Sequence, residues 1–225
     1  MHRTKLIDRK LPGYTKGEEI FNMVSHIVGG GFGVIALASC VVYSFLYSDV
    51  YGIVGSFIYG ISMILLYTMS SIYHGLRNET AKKVFQIIDH CTIFILIAGT
   101  YTPILLRSVR SENPVLGWGL FGFVWGVSAL GIVLNAIDLK KYAKFSMVCY
   151  LMLGWCIVFG GKAAISAIPF NGMMYILAGG ISYTIGAAFY GVAAKKKIRY
   201  VHSVFHIFVV IGSILQYIAI IAYIL

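Results

Sequence analysis

Long apolar segments separated by short polar links dominate the hydrophobicity pattern of the chain. A helix needs about 20 apolar residues to cross the roughly 30 Å hydrocarbon core of a bilayer. The apolar stretch 145–194 is longer than one crossing and is divided at the turn signal Pro169–Gly172. The pattern therefore predicts an all-α integral membrane protein, with a polar tail at residues 1–19 and a transmembrane domain at residues 20–225. Its seven transmembrane helices are predicted at about 20–46, 51–75, 84–107, 114–136, 145–167, 172–194 and 200–224.

Composition supports the membrane class and excludes a soluble one. The chain is 59% hydrophobic and only 12% charged, whereas about a quarter of the residues in a soluble domain are charged. The formal net charge of +10 does not indicate nucleic-acid binding, because the predicted spans leave no room for a soluble basic domain. Membrane lipids are the expected partners. A homo-oligomer is possible, and the sequence does not decide the oligomeric state.

The basic residues predict the orientation of the bundle. Fifteen of the 18 Lys and Arg residues fall in the tail and in the second, fourth and sixth links between spans. The exceptions are Arg107, Arg110 and Lys162. Loops rich in Lys and Arg stay in the cytoplasm. We therefore expect a cytoplasmic N-terminus and a C-terminus outside, in a multi-pass protein of the cell membrane.

Small residues at four-residue steps indicate close helix contacts within the membrane. They occur at Gly52, Ser56 and Gly60 on the second predicted span, and at Gly122 and Gly126 on the fourth. The four cysteines form no Cys-x-x-Cys pair, and each falls within a predicted span. We expect them to be buried free thiols.

Titratable side chains inside the predicted spans are few, and they fall at one level of the membrane. An ionisable group in this position is costly, which makes each of them a functional candidate. The antiparallel threading brings side chains from four helices to the cytoplasmic end, namely those of His26, His74, Asp89, His202 and His206. The orientation rests on Lys and Arg alone, so this convergence is a separate observation.

A Zn²⁺ site with three histidine ligands accounts for the convergence. His202 and His206 are four residues apart, so both imidazoles lie on one face of a helix and are able to bind one ion. His74 would be the third ligand, which leaves the fourth position of a tetrahedral zinc open for water. Asp89 is the candidate general base for that water. Ser70, one turn before His74, is the candidate partner of a ligand, the water or an oxyanion.

Each of these residues, taken alone, also has a simpler interpretation. His202 and His206 could face headgroups or water without metal, and His74 could be an interfacial residue. Asp89 could pair with Lys82 or Lys83. The role of His26 stays open between a supporting position and direct ligation. His90 points about 100° away from Asp89 on a helix, and we expect it on the surface.

The motifs Ser70-x-x-x-His74, Asp89 and His202-x-x-x-His206 resemble the signature of the PAQR proteins. That family includes the adiponectin and membrane progestin receptors and is grouped with the alkaline ceramidases in a superfamily of membrane hydrolases. The stretches EEIFNMVSHIVGGGFG (18–33) and HSVFHIFVVIGS (202–213) are more similar to its bacterial hemolysin III branch. The resemblance covers almost the whole chain.

The resemblance implies a seven-helix bundle with Zn²⁺ held by His74, His202 and His206, and with Asp89 holding a zinc-bound water. It implies a bacterial membrane protein, and the reading we favour is a zinc-dependent hydrolase of lipid amide or ester bonds. Two alternatives remain. One is a sensor or regulator of membrane homeostasis with a structural zinc, and the other is a cytolytic, pore-forming protein.

Overall fold

Helices connected by short links make up the structure, a computed structural model that describes residues 3–195 and 198–225. Within these ranges there is no strand, and nothing is described of the side chains of Ala194 and Lys195. Lys196 and Lys197, two of the basic residues counted for the orientation, lie outside the described residues. The helices are α1 (Lys16–Tyr47), α2 (Val50–Gly75), α3 (Glu79–Pro103), α4 (Pro114–Gly154), α5 (Gly161–Ala167), α6 (Phe170–Lys195) and α7 (Val201–Ala219). A π-helical segment, Ile104–Val109, continues α3, and another, Ile220–Ile224, continues α7.

Polar caps determine where the first helices begin. Thr15 and Glu18 form a reciprocal capping box at the start of α1, which satisfies backbone N–H groups that the helix itself leaves free. The helix therefore starts at Lys16, four residues before the predicted span. Asn78 and Asn113 cap α3 and α4 more simply, each by accepting a hydrogen bond from a backbone N–H three residues later.

Helix α4 is a helical hairpin and not a straight rod. Its 41 residues would extend about 60 Å if straight, but Asp138 has non-helical backbone angles (φ −157°, ψ 95°). The Ser146 hydroxyl donates to Asn135 Oδ1 at 2.6 Å, although a straight helix would separate these residues by about 16 Å. The chain therefore reverses at Asp138, and the two halves of α4 lie side by side.

The prediction of one continuous helix at residues 145–167 was wrong. The second half of α4 ends at Gly154, a 3-10 turn covers Cys156–Gly160, and α5 follows. Gly161 has a positive φ of 48°, a conformation that residues with a Cβ rarely adopt. Gly161 is one of 25 glycines, so no pattern in the sequence distinguished it as the site of a break.

Both the length of the helices and their apolar outer surface suit a membrane. Six helices in the described part of the chain are long and apolar enough to cross a bilayer, and one of them is the bent α4. Large apolar side chains such as Val28, Ile35 and Phe45 are more than half exposed. The centre of the bundle is filled by Tyr59, Tyr67 and Phe94, which are fully buried.

One end of the bundle, here called the basic end, collects the tail and three links. The backbone N–H of Thr4 donates to Asp138 Oδ2 at 2.8 Å, and Lys83 Nζ donates to the carbonyl oxygen of Ile7 at 3.0 Å. The backbone N–H of Tyr200 donates to Glu18 Oε1 at 2.7 Å. The tail, the α2–α3 link, the Asp138 bend and the α6–α7 link therefore meet there. These segments carry the described residues of the basic group predicted from the sequence.

The small-residue prediction was right for α2 and wrong for α4. The hydroxyl groups of Ser56 and Ser44 are 2.6 Å apart, and a Cβ on Gly60 would lie 2.6 Å from the Cβ of Leu37. These residues let α1 and α2 approach closely. Gly122 and Gly126 have no neighbouring atom within 4 Å of a Cβ position, so they make no close contact with another helix in the part of the chain that the structure describes. Cys40, Cys149 and Cys156 are buried, Cys91 is partly buried, and all four are free thiols as expected.

Gly161→Ala is expected to destabilise the protein by about 1–3 kcal/mol, the cost of holding a residue in an unfavourable backbone region. The measurement is unfolding of the detergent-purified protein, followed by heat or denaturant. Gly31→Ala is the matched control, because Gly31 lies within α1 with no atom near its Cβ position. Equal stability of the two variants would contradict a positive φ at Gly161.

Candidate metal centre

Three histidines from two helices meet inside the basic end of the bundle. His74 lies in the last turn of α2, and His202 and His206 lie in the first two turns of α7. One ring nitrogen from each can be chosen so that all three atoms lie within 4.8 Å of one another, and all three residues are buried. Neutral imidazole at this spacing is a common ligand set for a divalent transition metal.

The free nitrogen atoms of these rings point to a shared ligand. Nε2 of His202 and Nε2 of His206 are 3.1 Å apart, and Nε2 of His74 is buried with no hydrogen-bond partner among the described residues. A buried polar atom without a partner is costly. A metal ion bound to the three Nε2 atoms would remove that cost, so the residues present fit the metal expected from the sequence.

Glu19 orients the His74 ring from the side away from the other histidines. Its Oε2 lies 2.7 Å from His74 Nδ1, and its Oε1 lies 3.0 Å from Lys82 Nζ. The same ammonium group donates to the carbonyl oxygens of Tyr73 and Leu76 at the end of α2. A carboxylate on Nδ1 fixes the tautomer that leaves Nε2 free to bind a metal.

Asp89 and Ser70 lie beside the histidines and outside their compact group. Among the described residues, that group does not include Asp89. The carboxylate of Asp89 has the Ser70 hydroxyl as a hydrogen-bonding neighbour and lies near enough to His74 to interact with it electrostatically. The ion pairs of Lys82 and Lys83 in the described part of the chain are with Glu19 and Glu79. Pairing of Asp89 with these lysines, the simpler interpretation, is therefore not what the structure has.

His26 packs directly against one member of the group. Its ring stacks on that of His206 with a centroid distance of 3.8 Å and an interplanar angle of 20°. The ring edge also meets Tyr67. His26 is 3% exposed, and neither of its ring nitrogens has a hydrogen-bond partner within residues 3–195 and 198–225. This contact holds the His206 ring in place from the α1 side.

The prediction of a surface position for His90 was wrong. His90 lines the same cavity as Asp89, its Nδ1 lies 2.8 Å from the carbonyl oxygen of Gln86, and its Nε2 lies 3.1 Å from the Tyr190 hydroxyl. Both ring nitrogens have protein partners, so His90 is not free to bind a metal. Tyr190 on α6 faces inward and gives His90 a polar neighbour there.

Tyr14 covers the histidines from the tail. Its ring stacks on His202 with a centroid distance of 4.9 Å and an interplanar angle of 18°. Burial, together with the nearby Tyr190, Glu19 and Asp89 side chains, raises the pKa of Tyr14 above its ordinary value. The hydroxyl therefore stays neutral at physiological pH. The tail closes the basic end of the site with an uncharged aromatic ring.

An elongated cavity of about 140 Å³ extends from the histidines into the bundle. His202, His206, Asp89 and Ser70 line one end. The residues that continue it toward the opposite end are mostly apolar: Leu66, Ile93, Leu96, Ile97, Leu151 and Val209. Gln216, fourteen residues after His202 on α7, also lines it, which corresponds to about 21 Å along the helix axis. The cavity therefore joins a polar site to a long apolar interior.

Sequence reasoning missed Glu19, Tyr14 and Tyr190. Glu19 had a signal, since it is one of only eight acidic residues and stands at the edge of the first predicted span. Tyr190 had none, because it is one of 16 tyrosines and its position beside His90 depends on how α6 and α3 face each other across the cavity.

The fold and the site together define a class: an all-helical membrane protein with a buried group of three histidines able to hold a metal ion. Comparison with protein-family models gives the family. The model described as "Haemolysin-III related" matches residues 14–217. The chain belongs to this family.

Individual relatives agree with this assignment. Hemolysin-3 from Bacillus cereus is 33% identical over 208 residues, which cover 92% of each chain. The Hemolysin-3 homolog of Bacillus subtilis (strain 168) is also 33% identical, over 93% of this chain and 96% of its own. The human Monocyte to macrophage differentiation factor is 24% identical over 161 residues, which are 69% of this chain and 64% of that protein. The match therefore extends beyond bacteria at lower identity.

Glu19→Gln is expected to weaken metal binding about 10- to 100-fold, the usual effect of losing a carboxylate that orients a histidine ligand. The measurement is competition between the purified protein and a chelator of known affinity. Glu79→Gln is the matched control, because Glu79 pairs with Lys83 and does not contact His74. Equal metal affinities of the two variants would contradict the orienting role of Glu19.

Proposed function

We propose that this protein is a zinc-dependent membrane hydrolase that cleaves an amide or ester bond of a lipid. The observation that carries the proposal is a group of three buried histidines, two of which, His202 and His206, line the polar end of an apolar cavity together with Asp89. A carbonyl group would lie at this end, and its acyl chain would occupy the apolar part.

Zinc fits the ligands better than a hard cation does. Three neutral imidazoles suit Zn²⁺, whereas Mg²⁺ and Ca²⁺ prefer oxygen ligands. His74, His202 and His206 would hold the ion, which leaves one position of a tetrahedral site open. When bound, zinc would supply a water with a pKa near 7 and polarise a substrate carbonyl.

Asp89 and Ser70 would carry the proton transfer. The Asp89 carboxylate lies outside the ligand group but close to His74, so it is placed to accept a proton from a water between them. Its neighbour Ser70 would donate a hydrogen bond to the carboxylate, and it could turn to the oxyanion that forms on the substrate carbonyl. Tyr14 and the apolar lining would limit the entry of bulk water.

The same proposal includes seven membrane crossings with a cytoplasmic N-terminus. The two halves of α4 would make the fourth and fifth crossings, since the Asn135–Ser146 hydrogen bond pairs them side by side. The basic end collects most of the Lys and Arg residues, which favours the cytoplasm for that end. The metal site would then lie near the inner surface of the bacterial cell membrane, with residues 1–19 as a cytoplasmic tail.

Cytolysis is a second candidate, because two relatives carry the printed name Hemolysin-3. A cytolytic protein would need to reach its target membrane, and six strongly apolar helices would require a bilayer throughout. The buried histidines would have no part in a pore. A regulator with a structural zinc is a third reading, in which the ion is bound without turnover.

Metal content and turnover separate these functions. We expect His74→Ala, His202→Ala and His206→Ala each to lose zinc, and His90→Ala to keep it, because both nitrogens of His90 have protein partners. Asp89→Asn is expected to keep zinc and to lower hydrolysis about 100-fold or more, the usual contribution of a general base. The measurements are the metal content of detergent-purified protein and fatty-acid release from a broad panel of lipid amides and esters.

Three outcomes would contradict the hydrolase. The first is stoichiometric zinc in the wild-type protein with no release from any lipid. The second is full activity in Asp89→Asn, and the third is equal zinc loss in His90→Ala. Asp8→Asn is the control for a general effect of removing a carboxylate, because Asp8 is exposed in the tail.

Reporter fusions test the orientation. A C-terminal alkaline phosphatase fusion is expected to be active and a C-terminal green fluorescent protein fusion dark in bacterial cells, because seven crossings from a cytoplasmic N-terminus end outside. An N-terminal fluorescent fusion provides the control. A bright C-terminal fluorescent fusion would show an even number of crossings and would contradict this topology.

A further inference from the structure

Buried atoms without a partner identify a second polar position in the cavity, far from the histidines. Near the metal centre the unpartnered atoms belong to His26, His74, His202 and His206, and the neighbouring Asn22 contributes one more. At the inner end the unpartnered atom is Oε1 of Gln216, a residue that lines the same cavity. This acceptor lies about 15 Å along α7 from His206, since ten residues separate them.

The orientation of the Gln216 amide is fixed by its other end. Nε2 donates to the carbonyl oxygen of Ile176 on α6 at 3.0 Å, and an amide oxygen could not make that contact because it does not donate. Gly179 permits this approach, since a Cβ there would lie 2.6 Å from Nε2. Oε1 is therefore held as a free acceptor in a side chain that is 94% buried.

Neighbouring protein donors are already in use. The hydroxyl of Tyr101 donates to the carbonyl oxygen of Gly154 at 2.7 Å, and the hydroxyl of Thr100 donates to that of Leu96 at 2.7 Å. The indole N–H of Trp155 donates to Thr184 Oγ1 at 3.1 Å. Tyr183 and Thr184 on α6 also line the cavity. The Tyr183 hydroxyl lies 2.9 Å from Ser213 Oγ, and the Thr184 hydroxyl donates to the carbonyl oxygen of Gly180 at 2.8 Å, so each of these groups already has a partner other than Gln216.

We propose that the inner end of the cavity is a subsite for a hydroxyl group carried on the acyl chain of the lipid, with Gln216 Oε1 as its acceptor. This inference rests on the proposed function for the direction of the chain, with its carbonyl carbon at the histidines. A saturated chain with carbon–carbon bonds of about 1.5 Å advances about 1.3 Å per carbon. The hydroxyl would therefore be carried about twelve carbons from the carbonyl.

The subsite would favour hydroxylated lipids over unsubstituted ones, because a buried Oε1 without a hydrogen-bond partner costs free energy. An unsubstituted chain would place methylene groups against Oε1 and leave it without a partner, whereas a hydroxylated chain would satisfy it. Sites that hydrogen-bond a ligand group discriminate strongly against the analogue that lacks it, for this reason.

Competition binding tests the subsite without any turnover. Radiolabelled octadecanoic acid is bound to the detergent-purified protein and displaced by 12-hydroxyoctadecanoic, 2-hydroxyoctadecanoic or unlabelled octadecanoic acid. We expect the 12-hydroxy acid to bind about tenfold tighter than the other two in the wild-type protein, the effect of one buried hydrogen bond. The preference is expected to disappear in Gln216→Met and to persist in Leu105→Met, a volume-conserving change of a buried residue outside the described lining of the cavity.

Equal binding of the three acids by the wild-type protein would overturn the subsite, as would a preference that survives in Gln216→Met or no fatty-acid binding at all. The comparison of the 12-hydroxy with the 2-hydroxy acid needs no variant, so it stands if Gln216→Met fails to fold. Selective binding with no hydrolysis of any lipid would support the subsite and contradict the hydrolase. Hydrolysis of lipids without a preference for the 12-hydroxy acid would support the hydrolase and contradict the subsite.

Discussion

The interaction on which this structure depends is the convergence of imidazole nitrogens inside an apolar bundle. Lipid offers no hydrogen bonds, so polar groups within it need partners from the protein or from a ligand. Nε2 of His202 and Nε2 of His206 face each other, and Nε2 of His74 has no protein partner. Glu19, Lys82 and Tyr14 surround the group and hold it in place. A cation at their centre would satisfy the nitrogens that these neighbours leave free.

The surrounding fold brings distant parts of the chain to that centre. His74 ends one helix and His202 begins another, so a bundle of antiparallel helices places them at the same end. The reversal at Asp138 allows the second half of α4 to line the cavity with Met147, Tyr150 and Leu151. A straight α4 would leave this side open, so the cavity depends on the bend.

Much of the fold was predictable because a membrane imposes long apolar segments, and the gaps between charged residues located them. The histidine group was predictable as well, since four-residue spacing fixes the relative directions of His202 and His206 and antiparallel threading brings His74 to the same end of the bundle. Features that depend on tertiary packing were not. The break at Gly161 follows from a single positive φ, and the inward position of His90 follows from its contact with Tyr190. Neither the positive φ at Gly161 nor the contact between His90 and Tyr190 follows from a pattern in the sequence.

Because Tyr14 stacks on His202, the first residues of the chain would control how fast a metal ion enters or leaves the histidine group. This tail is fastened by hydrogen bonds from Thr4 to Asp138 and from Lys83 to Ile7, and Tyr14 lies over the histidines from that side. An ion leaving toward the basic end would have to wait for the tail to lift. The rate of exchange would then depend on the fastening of the tail, whereas the equilibrium affinity would depend on the histidines and on Glu19, which orients one of them.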